Sequence, residues 1–133
     1  MKVVAKLILV DDDDNHLMMW RSDHPEIGRD PDLPGGTAEE GESIVDAMLR
    51  EVDEEIGIRF KDTDVVELYA GLDYSSHGTF KGLCLVRVSD RPAITMSWEH
   101  SRYEWLSKKE FLDIAKYAKD TYMHMVHDVL SKV

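Results

Sequence analysis

The stretch GGTAEEGESIVDAMLREVDEEIGI, Gly35 to Ile58, decides how this chain is read. Arg50 is its only base, while Glu51, Glu54 and Glu55 crowd one helical turn. Apolar residues recur from Val45 through Met48, Leu49, Val52 and Ile56 with the period of a helix. Ser43 and Asp46 approximate a capping box at its start, and Gly57 supplies a left-handed stop. At about 100° per residue, Glu55 falls about 40° to one side of Glu51 and Glu54 about 60° to the other. The three acids therefore share one narrow sector that borders the apolar stripe instead of opposing it. Acid clusters on helices ordinarily face water, but partial burial sharpens the repulsion between these carboxylates. Hard carboxylate oxygens converging from one face suit Mg²⁺ or Mn²⁺, and such a cation relieves the repulsion. The metal is the favoured reading.

A chain of 133 residues is long enough for one cored domain and too short for two, so residues 1–133 read as a single domain. The formal net charge of −11 argues against nucleic-acid binding, which draws its affinity from Lys and Arg neutralising phosphates. A phosphate-bearing small molecule is compatible with that charge, given a few placed basic side chains or a metal ion. No apolar run approaches the roughly 20 residues that span a bilayer, so no membrane partner is expected. MKVVAKLILVDDDD resembles a signal peptide only superficially, because Lys6 interrupts its apolar run and four Asp end it. Cys84, the single cysteine, excludes an intrachain disulfide and reads as a buried core thiol. A cytoplasmic location is the default expectation.

Val3–Val10 and Leu17–Arg21 flank a turn of Asp and Asn and predict a β-hairpin. The run Asp11–Asp14 lacks the spacing and the glycine of a calcium loop, and reads as a polar turn. SDHPEIGRDPDLPGG (22–36) reads as loop. VVELYAGLDY (65–74) and GTFKGLCLVRV (78–88) read as strands, and AITMSW (93–98) and YEWLS (103–107) add shorter strand signals. Ser107 to Glu110 forms a capping box that opens a helical region broken near Asp120. Strands interspersed with two helical stretches predict an α/β or α+β domain with helices packed on a mixed sheet.

The spacing within the opening stretch is specific. Gly36, five residues, Glu42, seven residues, Arg50-Glu51-Val52, one residue, Glu54-Glu55, one residue and Gly57-Ile58 follow in order. In this the chain resembles the full Nudix box, without a departure. LPGG before the box, Arg21 closing the second strand and EHSRYEWLSKKEF after it resemble the flanks of the same superfamily. The tail from about Tyr117 carries no such mark.

The resemblance implies a three-layer α/β/α sandwich with a central mixed sheet and a loop–helix–loop box. It implies a MutT-like hydrolase that cleaves a pyrophosphate bond in a nucleoside diphosphate linked to another moiety, with Mg²⁺ or Mn²⁺ as cofactor. Carried onto this sequence, Glu51, Glu54 and Glu55 stand as metal ligands, with the Gly36 carbonyl an additional one. Glu42 stands as a supporting acid near the metal and substrate, and Arg50 as the arginine that orients a box glutamate. The general base is either Glu51 or Glu99, because members use either a box glutamate or an acid on a later loop. Arg21 resembles an arginine that contacts substrate phosphate.

Trp98, beside Glu99, is the better candidate to stack on a base, Trp20 is the second, and Trp105 reads as core. Arg29, Lys81 and Arg87 are further phosphate candidates that read more readily as surface charges. His124 and His127 read as a solvated face rather than a metal pair. Tyr74 stands roughly where diadenosine-polyphosphate hydrolases of the superfamily have a tyrosine, whereas the marks of ADP-ribose, NADH and coenzyme A hydrolases are absent. The expected substrate is therefore a nucleoside triphosphate or related small nucleotide, with dinucleoside polyphosphates as the alternative. A non-catalytic nucleotide-sensing domain is the competing class, disfavoured by the intact box. A homodimer is a further expectation.

Overall fold

The computed structural model describes residues 1–72 and 78–133. The elements follow in the order β1 (Lys2–Val10), β2 (Asn15–Arg21), β3 (Pro31–Asp32), β4 (Gly35–Thr37), α1 (Ile44–Ile56), β5 (Val66–Gly71), β6 (Thr79–Arg87), β7 (His100–Ser107), α2 (Lys108–Lys116) and α3 (Thr121–Leu130). A short 3₁₀ turn at Asp62–Asp64 precedes β5. The strand β1 is buried from Ala5 to Val10 without alternation, the pattern of a central strand covered on both faces. One of its edges pairs in parallel with β6 over its whole length, from Lys2 opposite Thr79 to Val10 opposite Arg87. The other edge is divided. Val10 pairs with His16 of β2, whereas Val4, Ala5 and Lys6 pair with β4. Beyond these, β2 pairs with both β3 and β7, and β5 pairs with β6.

Alternate residues of the central strands feed two cores. Leu7, Leu9, Leu17, Met19, Cys84 and Val86 pack against Met48, Val52 and Ile56 of α1. Ile8, Val10, Met18, Leu83 and Leu85 pack against Phe111 and Ala115 of α2 and Met123 and Val126 of α3. The result is the expected α/β/α layering around a mixed sheet, with Met18 and Met19 as buried strand residues on opposite faces. Burial pushes the Cys84 thiol up to about 12, in keeping with an inert core residue.

The aspartate run is a turn, as read. The Asp11 carboxylate accepts from the Asp13 and Asn15 backbone N–H groups at 3.0 and 2.8 Å, and Arg91 Nε closes on its other oxygen at 2.7 Å. Ser43 caps α1 by accepting from Asp46 N, and Gly57 ends it at φ 73°. Tyr117 to Asp120 separates α2 from α3 where the break was expected, with Asp120 capping Tyr122 N.

Two strand expectations need correction. AITMSW is irregular, because its N–H groups serve a helix end instead of a sheet: Thr95 N donates to Ile56 O and Ser97 N to Glu55 O. The stretch 22–36 is not wholly loop, since it holds β3 and the start of β4, two strands too short for their alternation to register. Among the described residues no helix is long and apolar enough to cross a membrane.

Candidate functional site

The three box acids are graded in depth, as their position beside the apolar stripe requires. The Glu54 side chain is 59% exposed, that of Glu51 18% and that of Glu55 3%. Arg50 organises the outer two. Its Nε and Nη2 donate to the two oxygens of Glu42 at 2.9 Å each, its Nη1 donates to Glu51 Oε1 at 3.0 Å and Glu54 Oε1 at 3.4 Å, and Nη2 also reaches Thr37 O. The Arg50 guanidinium pulls the Glu42 carboxyl down to about 2, so Glu42 serves Arg50 and does not line the main cleft. Burial pushes the Glu51 carboxyl above its usual value, against the pull of Arg50 and with the help of Glu54 and Glu99. A Cβ on Gly36 would meet the Glu51 carboxyl carbon at 2.6 Å, so this carboxylate lies flat against bare backbone.

Glu55 is embedded deeper. Its Oε2 accepts from Gly35 N at 3.1 Å, and its Oε1 lies 3.7 Å from Nδ1 of His100, a ring nitrogen with no hydrogen-bond partner among the described residues. Burial pushes Glu55 up to about 8; Gly35 N–H and Lys6 pull against it, while Asp32 and Glu99 add to the rise. The chain of contacts continues inward: His100 Nε2 lies 2.9 Å from Asp32 Oδ2, and Lys6 Nζ donates to Asp32 Oδ1 at 2.5 Å. Arg21 Nη2 reaches the same Asp32 oxygen at 3.3 Å and Asp120 Oδ2 at 3.0 Å. Burial alone would raise Asp32, but Lys6, His100 and Arg21 together hold it well below the usual carboxylate range. The pairing of β2 with β7 shifts register between Trp20 and Arg21, at the strand end that carries this arginine.

Arg21, Asp32 and Glu55 among these groups line one cleft of about 560 Å³, beside the place where β1 exchanges β2 for β4. Gly36 and Glu55 come from the box and Gly35 from the residue before it, Arg21 and Asp32 from β2 and β3, and Glu99 from the loop before β7. Lys2, Lys6 and Lys81 come from β1 and β6, Lys119 from the break before α3 and Thr121 from the first position of α3. A smaller notch of about 210 Å³ shares Arg21, His24 and Glu99 with this cleft and adds Pro25 and Trp98, whose side chain is 85% exposed.

The structure thus gathers Gly36, Glu55, Glu99, Arg21 and Trp98 around connected cavities, and holds Glu51 and Glu54 beside them through Arg50. Lys81 is not a surface charge: it is buried on the cleft floor, with Nζ 3.4 Å from Thr121 Oγ1. Arg29 and Arg87 are exposed as expected, the first donating to Ser22 O and the second facing Asp14. Arg102 covers the ring of Trp20 at 3.7 Å, which takes that face from any base. Trp105 is half-buried against the α1 core, less deep than a core assignment implies. His124 Nε2 donates to Ala118 O, and His127 Nδ1 pairs with Asp128 Oδ1. Tyr74 lies outside the described residues. Sequence reasoning missed Asp32 and His100, and missed Lys6 as a site residue. The signal for Lys6 was available, since a charge inside VVAKLILV sits where a buried strand needs a partner.

Mg²⁺ or Mn²⁺ suits this donor set. Two of the box carboxylates are raised by burial, and bare Gly36 backbone faces Glu51 where a side chain would otherwise fill the space. As the side chains stand, no three of His, Cys, Asp or Glu among the described residues are gathered at ligand spacing, because Arg50 draws Glu51 and Glu54 to itself.

The fold is shared with known structures. A MutT protein from Methanosarcina mazei Go1 superposes with a TM-score of 0.72 at 20% identity, covering 98% of this chain and 91% of that one. A C. elegans Ap4A hydrolase in a binary complex gives a TM-score of 0.76 at 20% identity, covering 99% and 94%. A bifunctional NMN adenylyltransferase/ADP ribose pyrophosphatase from Francisella tularensis, complexed with AMP and a Mn ion, gives 0.72 at 23% identity, covering 98% of this chain and 41% of that one. No curated protein matches the chain by sequence. The NUDIX domain family model matches residues 1–126, nearly the whole chain, and with the intact box on a glycine-fed helix it shows that this chain belongs to the Nudix family of pyrophosphohydrolases.

Proposed function

We propose that the protein hydrolyses the pyrophosphate bond of a small nucleotide derivative, most simply a nucleoside triphosphate, in the cleft between the box and α3. The observation that carries this reading is the meeting of Glu55, bare Gly35–Gly36 backbone, Glu99 and Arg21 at one cavity large enough for a nucleotide. Glu51, Glu54 and Glu55 with the Gly36 carbonyl would hold Mg²⁺ or Mn²⁺, for which Glu51 and Glu54 must yield their contacts to Arg50. Bound there, the cation neutralises phosphoryl charge and lowers the pKa of water.

The protein's own groups supply the rest. Arg21 stands at the junction of cleft and notch, where a phosphate oxygen competes with Asp120 for its guanidinium. Glu99 is the better candidate for the base that takes a proton from the attacking water. It lines the cleft, whereas Glu51 does not line it and is held by Arg50. Trp98 beside the notch offers a face for a planar base.

The test is a hydrolysis panel of nucleoside triphosphates (oxidised purines included), dinucleoside polyphosphates, ADP-ribose and nucleotide sugars. Each is run with Mg²⁺, Mn²⁺ or EDTA on the wild type, Glu55→Gln and Glu99→Gln. Metal-dependent turnover of one class is expected, lost in Glu55→Gln and reduced about 10²–10⁴-fold in Glu99→Gln. Full activity in both variants would sink the assignment. Tight binding without turnover would instead identify a nucleotide sensor.

A further inference from the structure

Taking Glu99 to be the base that activates water, we propose that Ser22 is its positioning residue and sets the direction of its carboxylate through the backbone. The other acids of the site are held by their own side chains, Glu51 by Arg50, Glu55 by Gly35 N, and Asp32 by Lys6 and His100. Glu99 has no such hold. Its carboxylate makes no hydrogen bond or ion pair among the described residues, although it lines the cleft. It lies near enough to Glu51 and Glu55 to push both carboxyls up. Within a few allowed rotamers, a side chain without partners points where its backbone aims it, so the placing of this acid rests on its φ and ψ.

Ser22 pins both angles. The pairing of β2 with β7 ends with Arg21 opposite His100, and Ser22 adds two bonds beyond it. Ser22 Oγ donates to Trp98 O at 2.6 Å, and Ser22 N donates to Glu99 O at 2.9 Å. Trp98 O belongs to the planar peptide on the N-terminal side of Glu99, and Glu99 O to the peptide on its C-terminal side. Turning the first plane changes φ of Glu99 and turning the second changes ψ, so one residue holds both. Ser22 is itself seated, since its carbonyl accepts from Arg29 Nε at 3.2 Å. The other end of the loop is tied to the helix of the box acids, where Ser97 N donates to Glu55 O at 3.0 Å. Glu99 is thereby spanned between β2 and α1, the elements that bring Arg21 and Glu55 to the cleft. A base must stand within hydrogen-bond reach of its water, and a misplacement of about 1 Å costs up to about 10²-fold in rate. The Ser22 Oγ bond is exposed and adds little to stability, so its value lies in this placement.

Two readouts test this, on wild type, Ser22→Ala, Ser22→Thr, Glu99→Gln and the Ser22→Ala/Glu99→Gln double variant. The first is amide hydrogen exchange in EDTA, which needs no substrate. Exchange at position 22 and at Ser97 is expected to quicken about tenfold or more in Ser22→Ala, while the interior of α1 keeps its rates. The second is steady-state turnover of the substrate that the hydrolysis panel shows to be fastest. Ser22→Ala should lower kcat about tenfold with KM within about threefold, and Ser22→Thr, which keeps the hydroxyl, should recover most of the loss. In the Glu99→Gln background the same substitution should cost less than about twofold, because the group it aims is already gone. The melting temperature should stay within about 4 °C of wild type. Unchanged exchange in Ser22→Ala, unchanged kcat, or a loss of equal size in both backgrounds overturns the proposal. Full activity in Glu99→Gln would instead refute the base assignment, and exchange alone then decides whether Ser22 fixes this residue.

Discussion

At the scale of single residues, the site depends on where side chains are missing as well as where they are charged. Gly36→Ala would put a methyl group into the Glu51 carboxylate, the movable end of a flexible side chain. The expected result is a loss of about 10–100-fold in kcat/KM from a misplaced carboxylate, with the melting temperature nearly unchanged. Steady-state kinetics beside a thermal melt checks both halves. Glu55 makes a prediction about pH. Its carboxyl sits near 8 in the folded protein against an ordinary 4.5, so the folded state binds this proton more tightly than the unfolded state. Metal-free stability contributed by this group is therefore greatest below about pH 4.5 and lost as the pH rises toward 8. Melting curves in EDTA across that window should decline more steeply for wild type than for Glu55→Gln. Box residues were legible because their spacing is local. Lys81 was not, although the alternation Lys81, Leu83, Leu85 already put it on a buried face.

At the scale of elements, α1 is held by signals that the sequence states openly. Ser43 Oγ accepts from Asp46 N at 3.0 Å, and Ser43→Ala should cost about 1 kcal/mol in urea denaturation without altering the cleft. The helix stop at Gly57 is equally local, and the segment from Thr95 to Ser97 then satisfies carbonyls at the same end. That segment illustrates why strand reading failed there. Alternation reports which residues are half-buried, and a strap lying across a helix end is half-buried too. β3 and β4 failed for the opposite reason, since two or three residues among prolines and glycines show no period. Their placement comes from long-range pairing with β2 and β1, which no local pattern records.

At the scale of the whole molecule, Asp32 is the point where distant pieces are tied. It joins Lys6 of β1, Arg21 of β2 and His100 of β7 in the interior, so Asp32→Asn would leave the buried Lys6 ammonium without its anion. A loss of about 3–5 kcal/mol is expected from chemical denaturation, with activity falling along with the fold. Beyond the need of Lys6 for some partner, none of this was legible beforehand, because the partners stand far apart in the chain and meet only once the sheet is assembled. The layering was legible from strands interspersed with helical stretches and from the resemblance of the box, and the continuous burial of β1 and β6 accords with helices on both faces. The parallel pairing of β1 with β6 also bears on how the chain is born. During synthesis β1 emerges long before Thr79 to Arg87, and at ordinary elongation rates it waits several seconds for that edge to be filled. Over that interval KLILV is an apolar ribbon with one open side, an edge that stays available to other strands until β6 has left the ribosome.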